Sequence, residues 1–348
     1  MLQYVILNDH DKGEPMAKQV KFEYPICGSG RPQILLIGNG LEYKSGQVSW
    51  NELVKHLTVE DCVSLSEDEK KTIPFPLLYE TIVLHEPVPP VLGKDDIKEI
   101  EQRLKKEMLG LKNESNDLLD RLPELGADHI FTTNYSYCLE KAFFPKKDFK
   151  KSGTRTDERF NLLPTNENGK QPNEKYRLHS GYLASKNDRM TALWHIHGEC
   201  HAPSGIVIGH DRYGRLLNRI IDSCSKLNYK SITKQNSPHL FKSWPELFLF
   251  GDVYVIGFGY AHCEFDLWWL LRRKQRERHG DGRVYFYDKA IDMTTNSREA
   301  QDKSLRDKLL EAHGVKIIDC GLTTSASYDE FYGKVFEDVR EKMKRARL

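Results

Sequence analysis

The sequence of 348 residues predicts an α/β fold in which helices cover both faces of a doubly wound parallel sheet. Short runs of Val, Ile, Leu and aromatic residues, the pattern of strands buried on both faces, alternate with segments of helical length and period. Several of these runs end in glycine, asparagine or histidine, as do parallel strands whose carboxyl ends open onto a ligand crevice. Strands and helices that alternate in this way build a parallel sheet.

The predicted elements divide the chain into an N-terminal extended arm over residues 1–30 and an α/β domain over residues 31–348. The arm contains two short strands, at 2–7 and 20–26, which are either edge strands or an assembly contact. Strands of the domain are predicted at 33–37, 129–132, 192–196, 253–257, 284–287 and 315–318. Helices are predicted at 50–57, 136–144, 212–227, 237–249, 265–278, 297–313 and 328–345.

Two segments interrupt the alternation of strands and helices. Residues from 58 to about 125 are rich in Lys, Glu and Leu and predict a helical insertion after the first strand–helix unit. Their apolar residues recur at helical spacing, at Ile97, Ile100, Leu104, Met108 and Leu111. Residues 145–175 are polar and predict a long loop, which is either partly disordered or a cover over the site.

Composition and charge exclude several classes of protein. The net charge is +1 although 30% of the residues are charged, so the chain presents no overall basic field to nucleic acid or to an anionic membrane. The seven cysteines form no Cys-x-x-Cys pair, which argues against a zinc ribbon and a disulfide framework. Apolar runs fall short of the roughly 20 residues that span a bilayer, and the N-terminus has no signal pattern. We therefore expect a cytoplasmic protein that binds neither nucleic acid nor membrane.

The first of four segments that carry chemistry is Gly38-Asn39-Gly40, at the end of the strand predicted at 33–37. Glycines at such a place let the backbone approach a pyrophosphate, and the following helix N-terminus supplies a favourable dipole. The pattern is not a complete Gly-x-Gly-x-x-Gly, because position 43 is Tyr. A plain tight turn is the alternative interpretation.

The second segment is Thr132-Thr133-Asn134-Tyr135, which follows the strand predicted at 129–132. An asparagine amide donates and accepts hydrogen bonds at once, so Asn134 is suited to hold a hydroxyl group and a water beside a reacting carbon. The alternative is that Asn134 only caps the helix predicted at 136–144.

The third segment, Trp194-His195-Ile196-His197-Gly198, ends the strand predicted at 192–196. Histidine titrates near neutral pH, which makes His197 a candidate base, with His195 on the same strand face as a core or supporting residue. The histidines also suggest a metal site, formed by His195, His197, His201 and His210 with Cys200. No partner with the usual ligand spacing is evident, so we expect no metal.

The fourth segment is Val255-Ile256-Gly257-Phe258-Gly259-Tyr260, which precedes Glu264 and Asp266. Backbone at the two glycines is able to line phosphates and a ribose. Glu264 and Asp266 either bind ribose hydroxyls or complement the positive end of the helix predicted at 265–278.

In this order the four segments resemble the sirtuin-like family of NAD-consuming enzymes, in particular its prokaryotic antiphage-defence branch, without the zinc module of sirtuins that deacetylate lysine. The family carries Thr-x-Asn-Tyr/Ile-Asp, whose asparagine is catalytic, and a His-Gly pair; Ser136 stands here where Asp is often found. The resemblance implies a Rossmann-like fold with Asn134 and His197 as catalytic residues. It implies NAD contacts from Gly38, Asn39, Gly40, Thr133, Tyr135, Gly257, Phe258, Gly259, Glu264 and Asp266.

The function that the resemblance implies is hydrolysis of the nicotinamide–ribose bond of NAD, which gives nicotinamide and linear or cyclic ADP-ribose. In the family such an NAD glycohydrolase is the effector of antiphage defence. It depletes cellular NAD when infection is sensed, and the cell dies or stops growing, which is abortive infection. A homo-oligomer is implied, with a ring-forming ATPase or another sensor or scaffold protein as a possible partner in trans. The alternative is a regulatory subunit that binds NAD or ADP-ribose without turnover.

Overall fold

The protein is described by a computed structural model that covers residues 18–45, 53, 73–85, 96–110, 114–147, 149, 158–164, 174–228, 231–232, 237–277, 282–290, 298–323 and 326–348. The strands are β1 Lys18–Gln19, β2 Phe22–Tyr24, β3 Gln33–Ile37, β4 His129–Thr132, β5 Arg159–Asn161, β6 Ser180–Lys186, β7 Arg189–His195, β8 His239–Phe241, β9 Asp252–Ile256, β10 Val284–Tyr287 and β11 Val315–Ile318. The α-helices are α1 Phe75–His85, α2 Asp96–Gly110, α3 Leu122–Leu125, α4 Cys138–Phe143, α5 His210–Ser225, α6 Trp244–Phe250, α7 Phe265–Glu277, α8 Arg298–Ala312 and α9 Tyr328–Arg345.

The fold is built on a nine-stranded sheet in the order β1-β5-β6-β7-β4-β3-β9-β10-β11. The six neighbouring strands β7, β4, β3, β9, β10 and β11 are parallel to one another. Every residue of β3 and β9 is buried. Their apolar runs are continuous because helices cover both faces of such a sheet. The predicted α/β fold with a doubly wound parallel sheet is therefore confirmed.

The order of the parallel strands determines where a ligand crevice opens. Of the six strands β3, β4, β7, β9, β10 and β11, β3 comes first in the chain and lies between β4 and β7 on one side and β9, β10 and β11 on the other. This is the 3-2-1-4-5-6 order of dinucleotide-binding sheets, in which the crevice opens where the strand order reverses. Here the reversal lies between β3 and β9, so the loops after these two strands flank the crevice.

The sheet is not parallel throughout, which corrects the prediction at one edge. β6 pairs antiparallel with β7 and with β5. A hairpin joins β6 to β7, and its two turn residues, Asn187 and Asp188, have φ values of 52° and 57°. Positive φ at both positions is the requirement of a tight hairpin turn that matches strand twist, and Asn and Asp tolerate it. The Asn-Asp pair was the sequence signal for this hairpin.

The helix predicted at 237–249 is wrong in its first half. Residues His239–Phe241 form β8, which pairs antiparallel with β2, and the helix α6 begins only at Trp244. Pro245 lies in the first turn of α6, where its fixed φ and missing N–H suit a helix start but not a helix interior.

The predicted insertion and arm are covered only in part. The described portion of residues 58–125 includes α1, α2 and α3, and Glu101 of α2 forms a buried ion pair with Arg212 of α5. Of the predicted arm, β1 pairs with β5. The strand at 2–7, most of the helix at 50–57 and much of the loop at 145–175 lie outside the described residues. None of the described helices is both long and apolar enough to cross a membrane.

Candidate active site

The loops after β3 and β9 meet in backbone contact at the reversal of strand order. The N–H of Gly40 donates to the carbonyl oxygen of Gly257 at 2.9 Å. A Cβ atom on Gly38 would lie 2.6 Å from that oxygen, and Gly257 has a φ of +64°. Side chains at these positions would separate the loops, so glycine is required for this close approach.

A cavity of about 720 Å³ opens along these two loops, which is within the usual range for small-molecule sites. It extends past the end of β10 to α8 and the start of α9. Predicted contact residues that line it are Asn39, Gly40, Gly257, Phe258 and Gly259. Lining residues that the sequence analysis missed include Asp288, Lys289, Lys303, Arg306 and Tyr328. The signal for Asp288 was its position at a predicted strand end, like that of Asn134.

Asn134 lies beyond the end of β4 and is only 3% exposed. Its N–H donates to Thr132 Oγ1 at 3.1 Å, whereas both polar atoms of its side chain lack a hydrogen-bond partner among the described residues. Buried amide groups are normally paired, so apart from its electrostatic contact with Glu42 this side chain is available for a ligand. Asn134 is not a helix cap, because α4 begins at Cys138 with Tyr137 at its N-cap.

His195 supports Asn134 from the end of the neighbouring strand. Its Nδ1 lies 2.8 Å from the backbone oxygen of Asn134, and its Nε2 lies 2.8 Å from Glu140 Oε1. Burial lowers the pKa of His195, but Glu140 and the Asn134 carbonyl outweigh this effect and raise it above its ordinary value. His195 therefore links the backbone oxygen of Asn134 to the Glu140 carboxyl group and holds the backbone at Asn134 in place.

Glu42 is a buried carboxyl group beside Asn134 that sequence reasoning missed. The hydroxyl of Ser136 donates to Glu42 Oε2, and the Asn134 amide also favours the charged form of this carboxyl. Burial nevertheless dominates and raises the pKa of Glu42 to about 7. Ser136 thus contacts a carboxyl group from the loop after β3 instead of supplying one itself.

His197 lies between two acidic side chains at the start of α7. Its Nε2 is 2.9 Å from Asp266 Oδ2, its Nδ1 is 3.7 Å from Glu264 Oε2, and all three residues are buried. The hydroxyl of Tyr213 donates to the same Glu264 oxygen at 2.9 Å. Glu264 and Asp266 are thus partners of the predicted base, whereas the described lining of the cavity does not include them.

The electrostatics of this group follow from burial and from the three charges. Burial lowers the pKa of His197, but Asp266 and Glu264 outweigh it and raise that pKa above its ordinary value. Burial raises the pKa of Glu264 to about 7, although His197 opposes the shift. The two carboxyl groups therefore favour the protonated form of the imidazole, and Glu264 is poised to exchange a proton near neutral pH.

His197, Glu264 and Asp266 also offer ligand atoms within 4.8 Å of one another, close enough for a divalent cation. A metal would have to displace the proton between His197 Nε2 and Asp266. Among the described residues, His195, His201, His210 and Cys200 do not belong to this group. His195 contacts Glu140, and His201 Nε2 contacts the Phe149 carbonyl oxygen.

Thr133 and Tyr135, the remaining predicted NAD contacts, are buried on either side of Asn134. The N–H of Thr133 donates to the carbonyl oxygen of Ile37 at 3.4 Å, which ties the loop after β4 to β3. The Tyr135 hydroxyl donates to the backbone oxygen of Val207 at 2.6 Å. Both residues fix the backbone on which Asn134 stands. Gly38 packs behind the cavity rather than along its described lining.

Comparison with known proteins relates part of the chain to a family of domains. A family model described as the SIR2-like domain matches residues 128–318, which include Asn134, His197, Glu264, Asp266 and Asp288. The glycine loop after β3 and the side chain of Glu42 lie before the matched range. No curated protein shows a significant match to the chain.

Proposed function

Because the chain belongs to the SIR2-like family, whose model matches more than half of its residues and whose activity is NAD-related, we propose that it hydrolyses NAD. The bond cleaved is the one between nicotinamide and ribose, and the products are nicotinamide and ADP-ribose, in linear or cyclic form. The protein would thus be an NAD glycohydrolase.

The observation that supports this proposal is the position in the sheet of the strands that precede two chemical groups, neither of which is on the described lining of the cavity. Asn134 follows β4 and His197 follows β7, and these strands are neighbours in the sheet. β4 in turn adjoins β3, whose glycine loop flanks the cavity. A dinucleotide whose pyrophosphate lies on the glycine loops would therefore present its nicotinamide ribose to Asn134.

Cleavage of the nicotinamide–ribose bond does not require a general acid. Nicotinamide leaves the cationic pyridinium nucleotide as a neutral molecule, so no carboxylic acid is needed to protonate it, in contrast to most glycoside hydrolysis. The free amide of Asn134 would hold the attacking water and a ribose hydroxyl. His197 would take the proton of the water after passing its own to Glu264, whose pKa of about 7 permits the exchange.

One observation favours the second candidate, a subunit that binds NAD or ADP-ribose without turnover. Both ring nitrogens of His197 face carboxylates, at 2.9 Å and 3.7 Å, so neither is free to act as a base in this arrangement. A purely binding role would leave His197 in place between these two carboxyl groups.

The test is nicotinamide release from NAD by the purified protein, with Asn134→Ala and His197→Ala as variants. We expect release by the wild type and a loss of about 10²-fold or more in each variant, because each removes a group that acts on the reacting water. His179→Ala and Asn218→Ala are matched controls. His179 contacts the Lys242 carbonyl oxygen, and Asn218 lines a separate cavity on α5.

The outcomes separate the two candidates. Release that persists in Asn134→Ala and His197→Ala would contradict the assigned roles. Stable binding of NAD without release, with partner proteins present or absent, would favour the regulatory subunit.

The cellular role that we propose rests on the family resemblance alone. NAD depletion would make the protein the effector of an antiphage defence system, as a homo-oligomer or together with a sensor such as a ring-forming ATPase. Induced expression in growing bacteria should then lower NAD and arrest growth when the partner senses infection. Asn134→Ala should abolish both effects.

A further inference from the structure

Two buried side chains that contact each other carry three polar atoms without a hydrogen-bond partner. The atoms are Oδ1 and Nδ2 of Asn134 and Oε1 of Glu42, each unpaired among the described residues. Asn134 is 3% exposed and Glu42 is 1% exposed, so bulk water does not satisfy these atoms. Buried polar atoms that stay unpaired cost free energy, and each such atom in a native protein calls for an explanation.

The loop after β3 holds Glu42 beside Asn134. The N–H of Glu42 donates to the carbonyl oxygen of Asn39 at 3.0 Å, which closes a tight turn. Asn116 Nδ2 donates to the carbonyl oxygen of the preceding residue, Leu41, at 2.8 Å and ties the loop to the segment before α3. The carboxyl group of Glu42 is therefore presented to Asn134 from a fixed backbone.

The two carboxyl oxygens of Glu42 differ in their contacts. The hydroxyl of Ser136 donates to Oε2, which leaves Oε1 as a free acceptor. The Asn134 side chain favours the charged form of Glu42. Within an asparagine amide only the nitrogen has hydrogens to donate, and donation to a carboxylate favours its charged form. The contact with Glu42 thus favours an Asn134 amide whose nitrogen faces the carboxylate and whose oxygen faces away from it.

We propose that Glu42 is a positioning residue: its carboxylate accepts a hydrogen bond from Nδ2 of Asn134 and so directs Oδ1 toward the attacking water. This inference rests on the proposed function. An oxygen in that place accepts a hydrogen bond from the water and leaves a lone pair of the water free to attack the ribose carbon. An amide nitrogen in the same place would donate to that lone pair and weaken the nucleophile. The second N–H of Nδ2 stays available for a ribose hydroxyl.

The protonation state of Glu42 decides which orientation of the amide is favoured. An ionised carboxyl group only accepts hydrogen bonds, whereas a protonated one carries a donor that Asn134 Oδ1 would accept. A proton on Glu42 therefore favours the amide with its nitrogen and oxygen exchanged. Burial raises the pKa of Glu42 to about 7 against the effects of Ser136 and Asn134. Glu140 adds to the rise and His195 opposes it, so the two orientations exchange near neutral pH.

The first measurement observes the amide without any reaction. Protein labelled with ¹⁵N-asparagine gives a pair of side-chain resonances for Asn134, which are assigned by their loss in Asn134→Ala. We expect the pair to shift with pH in the wild type, with a midpoint of about 7, and to lose this shift in Glu42→Gln. That loss assigns the shift to Glu42 rather than to His195, which contacts the backbone oxygen of Asn134. Ser136→Ala removes a donor that lowers the pKa of Glu42, so the midpoint should move to higher pH.

The second measurement is nicotinamide release at pH 8. Glu42→Gln that accepts from Ser136 turns its own N–H groups toward Asn134 and favours the exchanged amide. We expect kcat to fall by about tenfold or more. KM and the calorimetric affinity for ADP-ribose should change by less than about threefold, because the contact acts on the water and not on the nucleotide.

Glu174→Gln is the matched control for Glu42→Gln. Burial likewise raises the pKa of Glu174 to about 7, but this carboxyl group accepts the N–H of His179 at 3.1 Å. The kcat of Glu174→Gln should therefore stay within about threefold of the wild type, and the Asn134 resonances should titrate as before.

Asn134 resonances that do not titrate, or that titrate unchanged in Glu42→Gln, would overturn the proposal. So would a Glu42→Gln enzyme with the kcat of the wild type, or one that loses ADP-ribose affinity to the same extent as kcat. If Glu42→Gln does not fold, the midpoint in Ser136→Ala decides, since a midpoint that stays in place contradicts the role of Glu42. Resonances that titrate with Glu42 in a wild type without nicotinamide release support the contact and refute only the hydrolase.

Discussion

At the scale of single residues, the state of His197 decides how the site responds to pH. Asp266 and Glu264 raise the pKa of His197 against the effect of burial, so the imidazole gains its proton at a higher pH than an isolated histidine. A base must be unprotonated to accept the proton of water. We therefore expect kcat/KM for nicotinamide release to rise with pH through the raised pKa of the His197 group.

Glu264→Gln tests this assignment. The variant removes one of the two carboxylates that raise the pKa of His197, so the acid limb of the pH profile should move to lower pH. Glu246→Gln is the matched control, because Glu246 is a buried carboxylate of α6 that contacts the N–H of Lys242. A profile that stays in place in Glu264→Gln would show that His197 is not the titrating base.

At the scale of elements, the contact between the loops after β3 and β9 depends on a missing side chain. A Cβ on Gly38 would lie 2.6 Å from the Gly257 oxygen and 2.7 Å from Phe258 Cα, both backbone atoms with little freedom to move. Gly38→Ala should therefore lower the free energy of unfolding by about 1–3 kcal/mol and weaken ADP-ribose binding.

Gly259→Ala provides the comparison for Gly38→Ala. A Cβ at Gly259 meets no atom within 4 Å among the described residues, so its effect on the free energy of unfolding should stay within about 0.5 kcal/mol. Urea unfolding of both variants measures the difference. Equal stability of the two would mean that the loops separate without cost and that the close approach is not needed.

At the scale of the whole molecule, local sequence patterns predicted most strands of the large sheet but not the pairing between distant segments. The strands at 33–37, 129–132, 284–287 and 315–318 have the predicted bounds, because each is a short, mainly apolar segment. β8 was missed because its partner β2 lies far away in the chain, where Phe22 pairs with Phe241. A local sequence pattern does not predict pairing between segments so far apart in the chain.

The candidate site divides in the same way. The sequence indicated Asn134 and His197 as candidate site residues, because each follows an apolar segment that predicts a strand. The contacts of Glu42 with Ser136 and of Asp288 with Arg306 were not, since they depend on which strands are neighbours and on how a helix returns to the sheet. Sequence patterns therefore identified the groups that we propose to react, whereas the contacts around them required the tertiary structure.

The buried carboxyl groups of the site should also lower the stability of the whole molecule above neutral pH. The pKa of Glu42 is about 7 in the folded protein and 4.5 as its ordinary value, so the folded state binds the proton more tightly. The contribution of Glu42 to the free energy of unfolding thus falls as pH rises from about 4.5 to 7, and charging this buried group costs about 3 kcal/mol at most above that range. Glu42→Gln removes this effect and keeps an oxygen that is able to accept from Ser136.

We expect Glu42→Gln to be more stable than the wild type by about 1–3 kcal/mol at pH 8, and the difference to shrink below about 1 kcal/mol at pH 5. Glu124→Gln, an exposed change on α3, should leave the free energy of unfolding within about 0.5 kcal/mol at both values. Urea unfolding at the two pH values measures both variants. A Glu42→Gln protein that is less stable at pH 8 would mean that the charged carboxylate is compensated by its neighbours, and that the site imposes no such cost on the fold.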